Sequence, residues 1–152
     1  MKNWISEELY KEILENIPIC CVDVAVLDGN RVLLVKRKDE PAKDHWWIPG
    51  GRIYKNEKLK DAAIRKVYEE TGIKIKIKKL IGTYEFFWHK GFFSALRTGA
   101  HTIDVTFLAE PLNKDPKIKL DKASSDYKWI NRIEEDFHPY IIKVLKDSKI
   151  LD

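Results

Sequence analysis

The segment Gly51-Arg-Ile-Tyr-Lys-Asn-Glu57, followed after seven residues by Arg65-Lys-Val-Tyr-Glu69-Glu70-Thr-Gly72-Ile73, constrains this chain more than any other. Leu59, Ala62, Ala63 and Val67 recur at helical spacing, so Leu59 to Thr71 is predicted as an amphipathic helix with those residues on its buried face. Gly72 suits the left-handed residue that ends such a helix. Arg65 and Glu69 are four apart, as are Lys66 and Glu70, so each pair can meet side by side. Glu69 and Glu70 project about 100° apart around the axis, which lets both carboxylates lean toward one cation. A hard cation such as Mg²⁺ takes oxygen ligands, usually one or two carboxylates plus phosphate oxygens and water. The carbonyls of the Gly50-Gly51 turn could add another oxygen. The alternative for the helix alone is a solvated face whose charges make surface pairs worth a few tenths of a kcal/mol.

The flanking sequence places this helix in a mixed α/β chain. Ser6 can cap a helix from Glu7 to Asn16 with Leu9, Ile13 and Leu14 on its apolar side, and Pro18 ends it. Ile19 to Leu27 and Arg31 to Arg37 read as strands joined at the hairpin signal Asp28-Gly29. Asp39 to Pro49 is loop-like and leads through Trp46-Trp47-Ile48 into the Pro49-Gly50-Gly51 turn. Ile73, Ile75 and Ile77 alternate with lysines, and Leu80 to Trp88 is aromatic and β-prone, so two strands are expected. Lys90 to Gly99 reads as a loop, His101 to Ala109 as a strand, Asn113 to Ser125 as a polar connection, and Asp126 to Ile130 as a short strand. Pro139 to Leu151 has helical spacing, with proline suited to its first turn.

With 152 residues, 44% of them hydrophobic, and no internal repeat or linker, one domain spanning residues 1–152 is expected. The N-terminal residues are too polar for a signal peptide, and no apolar run approaches the roughly 20 residues a bilayer requires, so a cytoplasmic protein away from membranes is expected. Cys20 and Cys21 are neighbours in an apolar run, the pattern of reduced core residues. The net charge of +4 is mild and its lysines are scattered. It fits an anionic small molecule, and no nucleic-acid-binding motif accompanies it.

The pattern from Gly51 to Ile73 resembles the Nudix box of the Nudix hydrolases, departing from it only at Lys66. The resemblance implies the Nudix fold, an α/β/α sandwich around a mixed sheet, and Mg²⁺- or Mn²⁺-dependent hydrolysis of a nucleoside diphosphate linked to another group. Glu69 and Glu70 match the metal-binding glutamates, and Gly50 the residue whose carbonyl often joins them. Gly51, Glu57 and Gly72 are motif positions, and Arg65 matches the arginine that braces the glutamates. Arg65, Glu69 and Glu70 are thus the expected catalytic set. Lys66 falls on a glutamate that in many members binds metal and serves or orients the base. A protonated lysine has three donors and no acceptor, so fewer metals and a base from elsewhere are implied.

The chain is most similar to the GDP-mannose mannosyl hydrolase branch, which also lacks that glutamate. The likeness runs from the N-terminal helix through Asp23, Leu33-Leu-Val-Lys-Arg37, Pro41-Ala and Trp47-Ile-Pro-Gly-Gly-Arg52 to Asp126-Tyr127-Lys-Trp129. In that branch water attacks the anomeric carbon and GDP leaves intact. The resemblance implies that Asp23 faces the sugar, that Arg37 and Arg52 hold the diphosphate, and that the chain forms a homodimer. The branch's metal-binding glutamine and basic histidine are replaced by Ala123 and Ser124, and neither can do their work. His89, His101, Glu85, Asp121 and Asp126 are the candidate bases, and Trp46, Trp47 and Tyr54 are candidates for stacking on a nucleobase. The leading expectation is a nucleotide-sugar hydrolase. The alternatives are a pyrophosphohydrolase of NDP-sugars or NTPs, and a Nudix-fold regulatory protein that binds without turnover.

Overall fold

The β-branched residues between Ile19 and Val26 form the middle of β1 (Ile19–Asp28), the strand on which the others assemble. The computed structural model describes residues 5–89 and 99–151. Before β1 comes α1 (Glu7–Asn16), capped by Ser6, whose hydroxyl accepts from Leu9 N at 3.2 Å. After it come β2 (Arg31–Arg37), β3 (Trp46–Trp47), β4 (Gly50–Arg52), α2 (Leu59–Thr71), β5 (Ile75–Trp88), β6 (Ala100–Pro111), β7 (Ser124–Ile130) and α3 (Pro139–Ser148).

The strands run in the order β3-β2-β1-β6-β5, with β4 paired to β1 and β7 to β2. β1 lies parallel to β6 from Ile19 opposite Thr102 to Val26 opposite Ala109. It lies antiparallel to β4, with Cys21 opposite Arg52 and Asp23 opposite Gly50. A strand paired this way is covered on both faces, which accounts for its unbroken run of apolar residues. Val22, Val24, Val26 and Phe107 pack under Ala62, Ala63 and Val67 of α2. Ala25, Leu34 and Leu108 pack with Ile141, Val144 and Leu145 of α3. The result is the α/β/α sandwich around a mixed sheet.

Five local expectations are corrected, the first within the expected Asp39–Pro49 loop, where Trp46–Trp47 pair with β2 as strand β3. Leu9 is exposed, so α1 meets the body through Leu14, with Tyr10 and Ile13 partly buried against the same small cluster. The expected Gly50-Gly51 turn is strand β4, because its backbone finds partners along β1. The two strands expected between Ile73 and Trp88 are one, kept in register by shifts at Ile77/Lys79 and Leu80/Gly82. β7 begins at Ser124, two residues early, because Arg37 at the end of β2 pairs with it. Most of the expected Lys90–Gly99 loop, residues 90–98, lies outside the described residues. Among the described residues no helix is long and apolar enough to cross a membrane.

Candidate active site

The helix α2 ends where Gly72 turns left-handed at φ 72°, and its first half is tied to the preceding loop by Arg65. Arg65 Nε lies 2.6 Å from Glu57 Oε1 and Nη2 lies 2.9 Å from Oε2, a bidentate pair. Nη2 also donates to the Arg52 carbonyl at 3.1 Å, and Nη1 to Glu69 Oε2 at 3.2 Å. Glu57 further accepts from Tyr54 N at 2.9 Å, and the Tyr54 ring centroid sits 3.9 Å from the guanidinium. These partners, Arg65 foremost, hold the Glu57 carboxyl below the usual carboxylate range. Arg65 is therefore spent on protein acceptors, the geometry of a brace between loop, β4 and α2.

Beyond the brace, Glu69 and Glu70 converge on one point. Lys66 Nζ occupies it, 3.2 Å from Glu70 Oε1 and 3.6 Å from Glu69 Oε2. Glu70 is buried, and burial pushes its carboxyl above the usual range while the Lys66 ammonium opposes the shift. Its other oxygen accepts a long bond, 3.4 Å, from Gly50 N. The lysine stem fills the notch over Gly51: a Cβ there would stand 2.7 Å from Lys66 Cε, and φ of +149° independently favours glycine. Two convergent carboxylates are hard oxygen donors of the kind that suits Mg²⁺ or Mn²⁺. Among the described residues no third His, Cys, Asp or Glu completes a metal cluster, so substrate oxygens or water would supply the remaining ligands.

Next to this point opens a cavity of about 120 Å³ whose wall includes Asp23, Arg37, Gly50, Gly51 and Arg52. The three residues expected to bind substrate thus meet in one cleft. Gly50 is required by space, since a Cβ would stand 2.1 Å from Asp23 Oδ1. Arg37 Nε donates to the Pro41 carbonyl at 2.5 Å, and the Arg52 guanidinium lies between the rings of Tyr10 and Tyr54. Asp23 is buried, and burial, reinforced by the neighbouring Asp104, raises its carboxyl well above the usual range. Trp47 lines the cleft but stacks on Tyr140 at 5.3 Å and 5°, while Trp46 receives Lys128 and Lys36 on its ring. Both rings are engaged by protein.

None of the five candidate bases, Glu85, His89, His101, Asp121 or Asp126, is on the cavity wall, and Asp121 Oδ1 accepts from Ala123 N at 2.9 Å. Glu85 and His101 face each other at 3.8 Å across β5 and β6, and His89 and Asp126 are exposed. Asp121 is the one brought to the glutamates: its N–H donates to the Glu70 carbonyl at 3.2 Å and its charge acts on the Glu70 carboxyl. Ser124 is buried beside Arg37. The cavity also exposes three polar residues that were not singled out, Thr102, Asp104 and Tyr140. A signal for the first two exists: Thr102, Asp104 and Thr106 alternate with Ile103, Val105 and Phe107, a polar face on a strand too apolar to lie at the surface.

A model of the NUDIX domain matches residues 20–147. The chain belongs to the Nudix family. A relative from Haloferax volcanii, the low-salt glycan biosynthesis protein Agl8, is 31% identical over 93% of this chain and 88% of its own. An ADP-ribose pyrophosphatase from Methanocaldococcus jannaschii is 29% identical over 84% of this chain and 72% of its own. The fold matches the MutT NUDIX hydrolase from Burkholderia pseudomallei with a TM-score of 0.71 and 20% identity, covering 87% of this chain and 98% of that one. Members of this hydrolase family generally use divalent metal ions.

Proposed function

We propose that this Nudix chain hydrolyses a nucleotide sugar of the GDP-mannose type, releasing the sugar and an intact nucleoside diphosphate. The observation that carries this reading is the meeting of Arg37, Arg52 and Asp23 in one cleft beside Gly50 and the Glu69–Glu70 pair. Arginines recognise phosphate oxygens through paired donors, and Asp23 supplies an acceptor for a sugar hydroxyl. A relative named for glycan biosynthesis supports a sugar-bearing substrate. When bound between Glu69, Glu70 and the Gly50 carbonyl, Mg²⁺ or Mn²⁺ supplies charge that neutralises the leaving diphosphate. The chain's own residues do the rest: Arg65 fixes the carboxylates, Arg37 and Arg52 orient the diphosphate, and Asp121 takes the proton of the attacking water. Asp121 lies in the loop before β7, three positions ahead of Ser124, which matches the base of the resembling branch. The same resemblance supports a cytoplasmic homodimer, which light scattering in solution tests for the dimer.

The second reading, pyrophosphohydrolysis, is favoured by the likeness to an ADP-ribose pyrophosphatase. Turnover of a nucleotide-sugar panel in H₂¹⁸O with Mg²⁺ or Mn²⁺ separates the two. Label in the free sugar, with unlabelled diphosphate, supports attack on carbon. Label in NMP or sugar phosphate overturns it for attack on phosphorus, and tight binding without turnover leaves a regulatory protein.

A further inference from the structure

Four ionisable side chains line the cleft with no salt bridge among them. Arg37 and Arg52 come from β2 and β4, Asp23 and Asp104 from β1 and β6, and among the described residues none of the four is ion-paired. Asp23 and Asp104 are each only 5% exposed. Their partners are few. Tyr140 OH donates to Asp23 Oδ2 at 3.3 Å and is also in hydrogen-bond reach of Asp104, while Thr102 Oγ1 donates to Asp104 Oδ2 at 2.7 Å. Two hydroxyl protons face four carboxylate oxygens. One position along β6 from Asp104 on the same face, and opposite Asp23 in the ladder, Thr106 Oγ1 is fully buried with no partner. Buried acceptors left short of donors are costly unless a ligand completes them.

We propose that Asp23, Asp104, Tyr140 and Thr102 form a hydroxyl-binding subsite for a polyol, so that the cleft takes a diphosphate on its arginines and a neutral sugar on its carboxylates. The proposal rests on the nucleotide-sugar reading above and extends it with three residues that the resemblance does not assign. A polyol brings the donors that the carboxylates lack, and Trp47 and Phe86 give the same cavity apolar walls for the sugar's C–H face. A third phosphate brings only acceptors and negative charge against two buried carboxylates. The subsite therefore selects against nucleoside triphosphates by repulsion as well as for sugars by attraction.

The test compares KM for GDP-mannose and other nucleotide sugars with Ki for the matching nucleoside diphosphates and for GTP. It uses the wild type, Asp104→Asn, Tyr140→Phe and Thr102→Val, with thermal melts confirming that each variant is folded. Asp104→Asn is expected to raise KM for the preferred nucleotide sugar about tenfold, as expected when a charge-assisted hydrogen bond is lost. Its Ki for the diphosphate should change less than about twofold, and GTP should inhibit it more strongly than it inhibits the wild type. Parallel changes in KM and diphosphate Ki, or a wild type that binds GTP as tightly as the nucleotide sugar, overturn the subsite while leaving the sugar-hydrolase reading standing. A wild type that neither binds nor turns over any nucleotide sugar overturns both. Should Asp104→Asn fail to fold, Tyr140→Phe and Thr102→Val decide the matter by the same ratio.

Discussion

Arg65 and Asp23 both adjoin β4, yet the protein treats their charges in opposite ways. Arg65 is knotted to Glu57, Glu69 and the Arg52 carbonyl, and Glu57 in turn accepts from Tyr54. Asp23, opposite Gly50 across the ladder, is buried beside a second carboxylate and has a tyrosine hydroxyl where a cation would be expected. Paired charge at the brace stabilises one arrangement of loop and helix. Unpaired charge in the cleft costs stability, and that cost is recovered when a ligand brings the missing partner. Glu70 stands between these extremes, buried like Asp23 but answered by Lys66.

The contrast is broken most severely at Glu70. Glu70→Gln keeps the shape but removes the buried charge, and we expect kcat to fall by about 10³-fold while the melting temperature stays or rises. Unchanged turnover would remove Glu70 from the metal site. Asp121→Asn should lower kcat by about 10²-fold or more with little change in KM, the range for loss of a general base. A kcat left unchanged by this variant would send the search for the base elsewhere. At the brace, Arg65→Ala strands the carboxylate of Glu57 and should cost about 2 kcal/mol, seen as a melting-temperature drop of about 5 °C. Restoration of most of that stability by the double change Arg65→Ala with Glu57→Gln would show that the stranded charge causes the loss.

How much of this contrast can be read from the chain follows from sequence distance. The brace is legible because Glu57, Arg65 and Glu69 lie within thirteen positions on a loop and one helix, where 3.6-residue spacing fixes who meets whom. The longer strands are legible for the same local reason, whereas Trp46–Trp47 and the Gly50-Gly51 segment, expected as loop and turn, become strands by pairing with β2 and β1. The cleft is not local. Asp23 and Tyr140 are 117 residues apart and meet only because α3 packs on the face of β1 and β6 that carries Asp23 and Asp104. Asp121 reaches Glu70 only through a backbone bond made by the loop before β7. No periodicity encodes either contact.

Lys66 tests the middle case, in which a built-in cation stands where the two glutamates converge. Replacing it by Met removes the ammonium while keeping a stem to fill the notch over Gly51. The released carboxylates should bind Mn²⁺ on the order of tenfold more tightly, as followed by the loss of the free-ion paramagnetic signal, without the number of bound ions rising. Lys66→Glu should go further and admit a second ion, giving a site better suited to attack on phosphorus. Affinity and stoichiometry that do not move in either variant would mean that Lys66 and the metal do not share this position.

Asp104 gives the smallest effect and the sharpest sign. Burial raises its carboxyl above the ordinary range near 4, so the folded state holds its proton more tightly than the unfolded chain does. Stability from that group is then fully present below the unfolded value and is lost as pH rises through the higher folded one. Asn in its place keeps an oxygen to accept from Thr102 and offers an amide that can donate to Tyr140, yet cannot ionise. In metal-free protein without ligand, the melting temperature of Asp104→Asn should match the wild type near pH 4 and exceed it by about 3 °C at neutral pH. A variant that is less stable at neutral pH, with the difference shrinking in acid, would show that Asp104 is paired like Glu57 and that the contrast between brace and cleft fails at this residue.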